Sequence, residues 1–203
     1  MTESAVNVFI VDDDAAVRDS LSFLLKSAGI QSRSFSSGDE FLERFDVSWD
    51  GCILLDIRMP GTSGMEVQHK LIEKGCRMPI IFITGHGDIP MAVEAMHLGA
   101  FDFVQKPFHD QELLDRIELA LDARKEQQSE EAAKQGIEAR YESLTPREKE
   151  VMTAVSQGHA NKVIAMDLEL SQRTVEIHRA RVMEKMQVRS LAELVKLAVI
   201  LDE

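Results

Sequence analysis

The sequence predicts two folded parts, an α/β domain built on a doubly wound parallel sheet and a small all-α domain behind it. Over residues 1–122, short apolar runs alternate with segments of helical periodicity, which is the pattern of repeated βαβ units. Residues 123–142 are rich in Glu, Gln, Lys and Ala and contain no proline, which indicates a solvated helical linker. Over residues 143–203 the apolar residues recur at helical spacing, so the second domain is expected to be helical.

Four of the five strands predicted for the first domain are apolar. The polar one, Gln31–Phe35, is therefore expected at a sheet edge. The strands are Val6–Val11, Gln31–Phe35, Cys52–Leu55, Ile80–Ile83 and Phe101–Val104. The helices are Ala15–Ala28, Gly38–Phe45, Met65–Glu73, Pro90–Leu98 and Gln111–Leu121. Asp14 is expected to cap the first helix, Gly29 suits the position after it, and Pro90 suits the first turn of the fourth.

Charged and hydroxyl side chains stand at the ends of the four apolar strands. They are Asp12 and Asp13, Asp56, Thr84, and Lys106. In an open α/β sheet the carboxyl ends of the strands form the ligand-binding edge. Crowded carboxylates require a counter-charge, and an oxygen-rich acidic rim suits Mg²⁺. A hydroxyl and an ammonium group are partners for phosphate, so these residues predict a Mg²⁺-assisted site with a carboxylate as phosphoryl acceptor.

With these strand-end residues in this order, residues 6–122 resemble the receiver domain of two-component response regulators. The stretches Thr84-Gly85-His86-Gly87-Asp88 and Lys106-Pro107-Phe108 are most similar to the FixJ branch. The resemblance implies a flavodoxin-like five-stranded sheet in the order 2-1-3-4-5 and a sensor histidine kinase as phosphoryl donor. It implies Asp56 as acceptor, with phosphate contacts from Thr84 and Lys106. The Mg²⁺ ligands that it implies are Asp12, Asp13, Asp56 and the backbone carbonyl of Arg58.

The same resemblance implies a switch. On phosphorylation Thr84 would move and the ring of Phe103 would turn inward, which would reshape the helix Pro90–Leu98 and the strand after it. The apolar excess of this fourth helix and fifth strand favours homodimerisation through them on phosphorylation. Arg58 and His86 flank the predicted pocket and are expected to influence hydrolysis of the phosphoryl group.

The second domain opens with a capping box, in which Thr145 is the N-cap, Pro146 the first helical residue and Glu148 the third. Gly158 ends that helix. A short helix, Asn161–Leu168, is expected to direct Val163, Ile164 and Leu168 inward, and the helices Gln172–Met186 and Leu191–Leu201 follow. Two helices joined by a tight turn indicate a helix-turn-helix, whose second helix enters the major groove of DNA.

The net charge of −12 is unevenly distributed. Residues 1–122 hold 10 Lys and Arg against 21 Asp and Glu, whereas residues 143–203 hold nine of each. Within the second domain, residues 173–189 carry five basic against two acidic residues. The acidity therefore belongs to the first domain, and one element of the second is basic enough for nucleic acid.

Residues 143–200 resemble the LuxR-type output domain. The resemblance rests on Leu144-Thr145-Pro146-Arg147-Glu148, Gly158, Asn161-Lys162, Ile164-Ala165, Ser171, Thr174-Val175 and His178. Glu176 and Val163 depart from it, because many members carry Lys and Glu there. The predicted base contacts are Arg173, Thr174, Ile177 and Arg179, and the predicted phosphate contacts are Lys162, His178, Arg181 and Lys185.

Two other function classes are considered. The spacing of Asp12-Asp13-Asp14 also occurs in Asp-based phosphatases, which would carry the phosphoryl group on Asp12, but the Thr expected two residues after the second Asp is Ala16. The second alternative is a phosphorelay or protein-interaction module without DNA binding, whose helical tail docks protein.

The sequence as a whole indicates a phosphorylation-activated transcription regulator, an activator and not an enzyme. We expect it to bind double-stranded promoter DNA as a dimer and to act with RNA polymerase. No run of about 18 apolar residues indicates a membrane span, and no secretory signal is visible at Met1. Its two cysteines form no disulfide framework, so a cytoplasmic location is expected.

Overall fold

Five parallel strands form one sheet in the order β2-β1-β3-β4-β5. The computed structural model describes residues 7–85 and 89–202. The strands are β1 Val8–Val11, β2 Ser32–Phe35, β3 Cys52–Asp56, β4 Ile80–Thr84 and β5 Asp102–Gln105. The predicted doubly wound sheet and its strand order are confirmed, and the polar strand β2 lies at an edge.

Helices cover both faces of this sheet. They are α1 Ala15–Ser27, α2 Gly38–Arg44, α3 Gly64–Glu73, α4 Ile89–His97 and α5 Asp110–Glu142. Side chains of a strand alternate between faces, so neighbouring residues of β1 join different cores. Phe9 and Val11 pack in a core with α2, α3 and α4. Val8 and Ile10 pack in a second core with α1 and α5.

The strand register brings the carboxyl ends of the strands level with one another. Val11 pairs with Leu55 across β1 and β3, Asp56 with Ile83 across β3 and β4, and Thr84 with Gln105 across β4 and β5. The residues that follow or end these strands therefore meet at one edge of the sheet.

The first turns of α1 and α3 begin at this same edge. Asp14 caps α1 as predicted, since its carboxylate accepts a hydrogen bond of 2.8 Å from the backbone N–H of Ala16. Ser63 and Glu66 form a capping box on α3 that was not foreseen. Gly64 lies so close to β3 that a Cβ on it would stand 2.2 Å from the carbonyl oxygen of Asp56. The start of α3 against β3 therefore requires glycine.

The single tryptophan, Trp49, precedes β3 and so lies towards the opposite edge of the sheet. Its ring stacks on that of Phe9 with 4.8 Å between centroids, and the Arg33 guanidinium lies 5.1 Å from its centroid. Three more rings, Phe35, Phe41 and Phe45, pack around it. Trp49 therefore reports on the packing of the sheet and not on the acidic rim.

The chain divides into two compact units, Met1–Gln127 and Gln128–Glu203. The second unit contains the end of α5 and the helices α6 Pro146–Ser156, α7 Asn161–Asp167, α8 Gln172–Lys185 and α9 Leu191–Asp202. Its core includes Val151, Ile164, Val175, Val182 and Leu194. Val163 was expected to point inward, but it is exposed, because Ile164 and Ala165 already occupy the buried face of α7.

The segment 123–142 is helical, but its last part is not simply a solvated linker. α5 continues without interruption through Gly136, although glycine has a low helix propensity. Ile137 is buried in the core of the second unit, and Tyr141 packs against that core. The last turns of α5 are therefore part of the helical unit. Within the described residues, no helix is long and apolar enough to span a bilayer.

Gly64→Ala is expected to destabilise the first unit by about 2–3 kcal/mol, because the added methyl meets backbone atoms of Asp56 and Ile57 that cannot move aside. Urea unfolding followed by Trp49 fluorescence measures the change. Gly136→Ala is the control, since nothing lies within 4 Å of its added Cβ, and it should leave this transition unchanged. An unaltered urea midpoint in Gly64→Ala would contradict the required close approach.

Candidate phosphoryl-acceptor site and nucleic-acid interface

Lys106 bridges two buried carboxylates at the carboxyl edge of the sheet. Its ammonium group donates hydrogen bonds of 2.7 Å to Oδ2 of Asp12 and 2.9 Å to Oδ1 of Asp56. Asp12 is 2% exposed and Asp56 8% exposed. The three residues come from the ends of β1, β3 and β5, so the structure brings together the residues that strand-end reasoning singled out.

The second oxygen of each carboxylate is held by the backbone. Oδ1 of Asp12 accepts a hydrogen bond of 2.9 Å from the backbone N–H of Asp14. Oδ2 of Asp56 accepts one of 2.8 Å from the backbone N–H of Arg58. Each carboxylate therefore has one oxygen on an amide and one on the shared ammonium. This pattern fixes both groups with their Lys106-bonded oxygens facing the same cation.

Burial raises the pKa of Asp56 above its ordinary value, and the neighbouring charge of Asp12 adds to that effect. The Lys106 ammonium opposes both, but it does not cancel them. Burial works to lower the pKa of Lys106, yet its hydrogen bonds to Asp12 and Asp56 outweigh burial and raise that pKa. The site therefore holds a protonated lysine beside a carboxyl group whose ionisation is disfavoured by burial.

A shallow cavity of about 270 Å³ opens above this pair. Its lining consists of Asp12, Asp13, Asp14, Asp56, Arg58, Gly85 and Lys106. Asp13 and Asp14 are exposed at its mouth. Asp56, Lys106 and the additional carboxylates thus share one opening to solvent.

The donor set around the cavity fits Mg²⁺. All of its candidate ligands are oxygens, namely the carboxylates of Asp12, Asp13 and Asp56 and the backbone carbonyl of Arg58. In the described part of the chain, no three His, Cys, Asp or Glu side chains converge as a ready-made metal cage. Mg²⁺ does not need such a cage, because it typically takes one or two carboxylates and keeps several waters.

The two predicted switch residues lie on neighbouring strands. Thr84 is buried at the end of β4, and its hydroxyl donates to the carbonyl of Gly85 at 3.4 Å, a long contact. Phe103 lies on β5 opposite Phe82 and is 37% exposed, so part of its ring faces solvent. His86 lies outside the described residues.

Two of the basic residues predicted to contact DNA lie in one row on the exposed side of α8. Arg173, Ile177 and Arg181 follow one another at four-residue spacing, and all three are exposed. Lys162 on α7 is exposed as well. Ser171 caps α8 by accepting from the N–H of Thr174, and the two hydroxyls lie 2.7 Å apart.

Three other predicted DNA contacts are engaged inside the unit or partly buried. Arg179 donates to the side-chain oxygen of Asn161 at 3.0 Å, which ties α8 to α7. His178 is half-buried, and its Nδ1 has no hydrogen-bond partner among the described residues. The ammonium of Lys185 donates 2.7 Å to Glu148 and 3.1 Å to the carbonyl of Ser143.

Glu148 shows why Lys185 is occupied. It is 1% exposed, and it accepts from the N–H of Thr145 at 2.9 Å as the predicted capping box requires. The hydrogen bond from Lys185 is the main reason that the pKa of Glu148 lies below its ordinary value. Lys185 thus neutralises a buried carboxylate, which makes it a weak candidate for a DNA phosphate contact.

Comparison with known proteins matches both units. A model described as the response regulator receiver domain matches residues 8–118, and one for bacterial regulatory proteins of the luxR family matches residues 142–198. The transcriptional regulatory protein FixJ of Bradyrhizobium diazoefficiens is 46% identical over 95% of this chain and 94% of its own length. The chain belongs to the FixJ-type response regulators.

Other relatives of this response regulator agree. The response regulator protein TodT of Pseudomonas putida is 45% identical over 97% of the chain and 86% of its own length. Among solved structures, the response regulator StyR matches with a TM-score of 0.87 at 44% identity, covering 96% of this chain and 98% of its own. Full-length FixJ from B. japonicum matches with a TM-score of 0.61 at 44% identity, covering 98% of each chain. The protein is thus a phosphorylation-dependent DNA-binding regulator, and its two parts imply a kinase and DNA as partners.

Asp56→Asn is expected to raise the urea midpoint of this response regulator's first unit at pH 7 in the presence of a chelator. A folded pKa above the unfolded value of 3.8 means that the charged carboxylate destabilises the fold, and the penalty disappears as the pH falls through the folded pKa. The advantage of Asn should therefore shrink in acid, which Trp49 fluorescence would show.

Asp46→Asn is the matched control for this measurement. Asp46 is exposed, and a hydrogen bond from the Ser48 side chain lowers its pKa, so its replacement should not raise the midpoint. A lower midpoint for Asp56→Asn than for the wild type at pH 7 would show that the Lys106 bridge outweighs the burial of Asp56.

Proposed function

We propose that Asp56 accepts the phosphoryl group from a sensor histidine kinase. The observation that carries this proposal is the placement of its carboxylate at the end of β3, in an open cavity and 2.9 Å from the Lys106 ammonium. An oxygen of Asp56 attacks phosphorus and forms the P–O bond, the P–N bond of a phosphohistidine breaks, and the departing imidazole nitrogen keeps the electron pair. The proposed role is that of an acceptor and switch, not of an enzyme.

The protein's own residues arrange the charge for this transfer. Lys106 is held protonated beside Asp56 and pairs with a phosphoryl oxygen as that group arrives. Asp12 keeps Lys106 at the edge of the sheet. Asp12, Asp13, Asp56 and the Arg58 carbonyl would hold Mg²⁺, which would supply additional positive charge for the phosphoryl group. Arg58 also lines the cavity mouth, where its side chain can affect access of water to the phosphoryl group.

Phosphorylation is proposed to act through Thr84 and Phe103 on α4. The new dianionic group draws the Thr84 hydroxyl towards it, and the space that Thr84 leaves admits the ring of Phe103. The buried amide of Gln68 ties α4 to α3, so a rearrangement of α4 would have to alter this contact. That amide donates to the carbonyl of Ala95 at 3.1 Å, while its own oxygen has no partner among the described residues.

The dimer surface that we propose is the exposed part of α4 and β5. Val93 and Met96 on α4 are large apolar side chains that are 51% and 40% exposed. Phe103 on β5 is 37% exposed in this structure, and its inward turn on phosphorylation would reshape the edge of that surface. A symmetric dimer would present two α8 helices to an inverted repeat in promoter DNA, with half-sites about one helical turn apart. Bound there, in the cytoplasm, it would recruit RNA polymerase as an activator.

Asp56→Asn should abolish acid-labile labelling by acetyl phosphate with Mg²⁺, because no carboxylate remains in the acceptor position. A label that maps to Asp12 would favour the phosphatase alternative.

Thr84→Ala should accept the label but dimerise less than the wild type. Sedimentation of phosphorylated wild type should show a dimer, with mainly monomer before phosphorylation. An equal dimer fraction before and after phosphorylation would exclude dimerisation as the switch.

Arg181→Met should weaken binding to all duplexes alike and reduce the salt slope of log Kd by about one, because an exposed arginine on α8 is expected to neutralise one phosphate. Lys185→Met is the matched control. It should leave the salt slope unchanged and lower the stability of the helical unit by about 2 kcal/mol, because it leaves Glu148 buried without its cation. Equal slope losses in both variants would restore Lys185 as a phosphate contact.

A further inference from the structure

The end of α5 is hydrogen-bonded to the end of the recognition helix α8. Arg140, in the last turn of α5, donates a hydrogen bond of 3.0 Å to the backbone carbonyl of Met186. Met186 is the C-cap of α8. The same guanidinium donates 3.1 Å to the carbonyl of Gly136, one turn earlier in α5. Arg140 thus spans from its own helix to the last carbonyl of α8.

A second contact runs in the opposite direction. Lys185, in the last turn of α8, donates 3.1 Å to the carbonyl of Ser143, which directly follows α5. The hydroxyl of Ser143 donates 2.6 Å to the carbonyl of Arg140. The two helix ends are therefore joined by reciprocal bonds, and Ile137, 6% exposed, packs the same part of α5 into the core.

Both bonds use groups that a helix end leaves unsatisfied. The last carbonyls of a helix have no intrahelical partner, and a cation near them interacts favourably with the helix dipole. Arg140 supplies a donor and a positive charge to the C-terminal end of α8. That end lies away from the exposed residue Arg173 in the first turn of the helix.

We infer that Arg140 is a positioning residue for the recognition helix, an inference that rests on the DNA-binding role assigned to α8. From Arg173 to Met186 is 13 residues, or about 20 Å of helix, so a tilt of about 5° at the anchored end moves the first turn by nearly 2 Å. A hydrogen bond to a base edge does not survive such a shift, because its heavy-atom distance must stay near 3 Å. Contacts to phosphates from mobile arginine side chains tolerate it.

The inference therefore predicts a loss of specificity and not a general loss of binding. The measurement uses the full-length protein, stably phosphorylated. Two probes are compared, a duplex selected by the wild type from a randomised pool and a duplex of random sequence of the same length. Arg140→Met should bind the selected duplex about tenfold more weakly and the random duplex less than twofold more weakly, with an unchanged salt slope.

Two further variants sharpen the test. Arg140→Lys keeps the charge but replaces the two guanidinium nitrogens, which donate to Gly136 and Met186, with one ammonium nitrogen. Its affinity for the selected duplex should fall about threefold. Arg147→Met is the control for the loss of one positive charge, because Arg147 is exposed on α6 and pairs with Glu150 at 2.8 Å. It should leave the ratio of the two affinities unchanged. If Arg140→Met is unfolded by circular dichroism, the Lys variant carries the comparison.

Three outcomes would overturn the inference. An equal fall in both affinities with a salt slope reduced by one would make Arg140 a phosphate contact. An equal fall with an unchanged slope would make it a purely structural residue, and no fall at all would show that the bond to Met186 does not position α8. Failure of the wild type to enrich any duplex would instead contradict DNA binding itself, so the two failures are distinguishable.

Discussion

Two buried carboxylates share one ammonium group at the edge of the sheet, and the first unit is arranged around that pair. Asp12 and Asp56 come from neighbouring parallel strands, and their negative charges would repel each other without Lys106 between them. Lys106 stands at that position because β5 ends level with β4, which in turn pairs with β3. Because these strands end level with one another, Lys106 can serve as the counter-charge for both carboxylates.

The two units treat buried charge in opposite ways. In the first unit, the lysine is shared and Asp56 remains at an energetic cost, so the site is ready to exchange partners when another anion arrives. In the second unit, Glu148 has its own cation and its own backbone donor, so it stays ionised and fixed. The first arrangement suits a switch, whereas the second suits a scaffold that holds helices in place.

Sequence reasoning succeeded where the information is local or follows from strand topology. The apolar runs marked the strands, and the polar residues at their ends marked Asp12, Asp56 and Lys106, which the structure places in direct contact. It failed where a contact between distant segments does not follow from strand topology. Nothing in the local pattern around Lys185 indicates Glu148, 37 residues away, or indicates that Arg140 reaches Met186, 46 residues away.

The local sequence pattern likewise did not predict which side chains of the second unit are buried. Val163 has the apolar character of a core residue, but the short helix α7 buries Ile164 and Ala165, and a helix of seven residues offers only one narrow face. Ile137 lies in a polar stretch, and one isoleucine among glutamates and lysines gives no periodicity to detect. Its burial depends on the helices that surround it in the folded unit.

The location of Ile137 and Arg140 bears on the construction of hybrid regulators, in which the sensory half of one protein is joined to the output half of another. The luxR-type match begins at residue 142, which makes that residue an obvious splice point. A splice there would replace Ile137, Arg140 and Tyr141 with residues of the foreign partner and would remove part of the output core. The natural unit of exchange begins upstream of Ile137, so the final turns of the connecting helix should travel with the domain that they help to build.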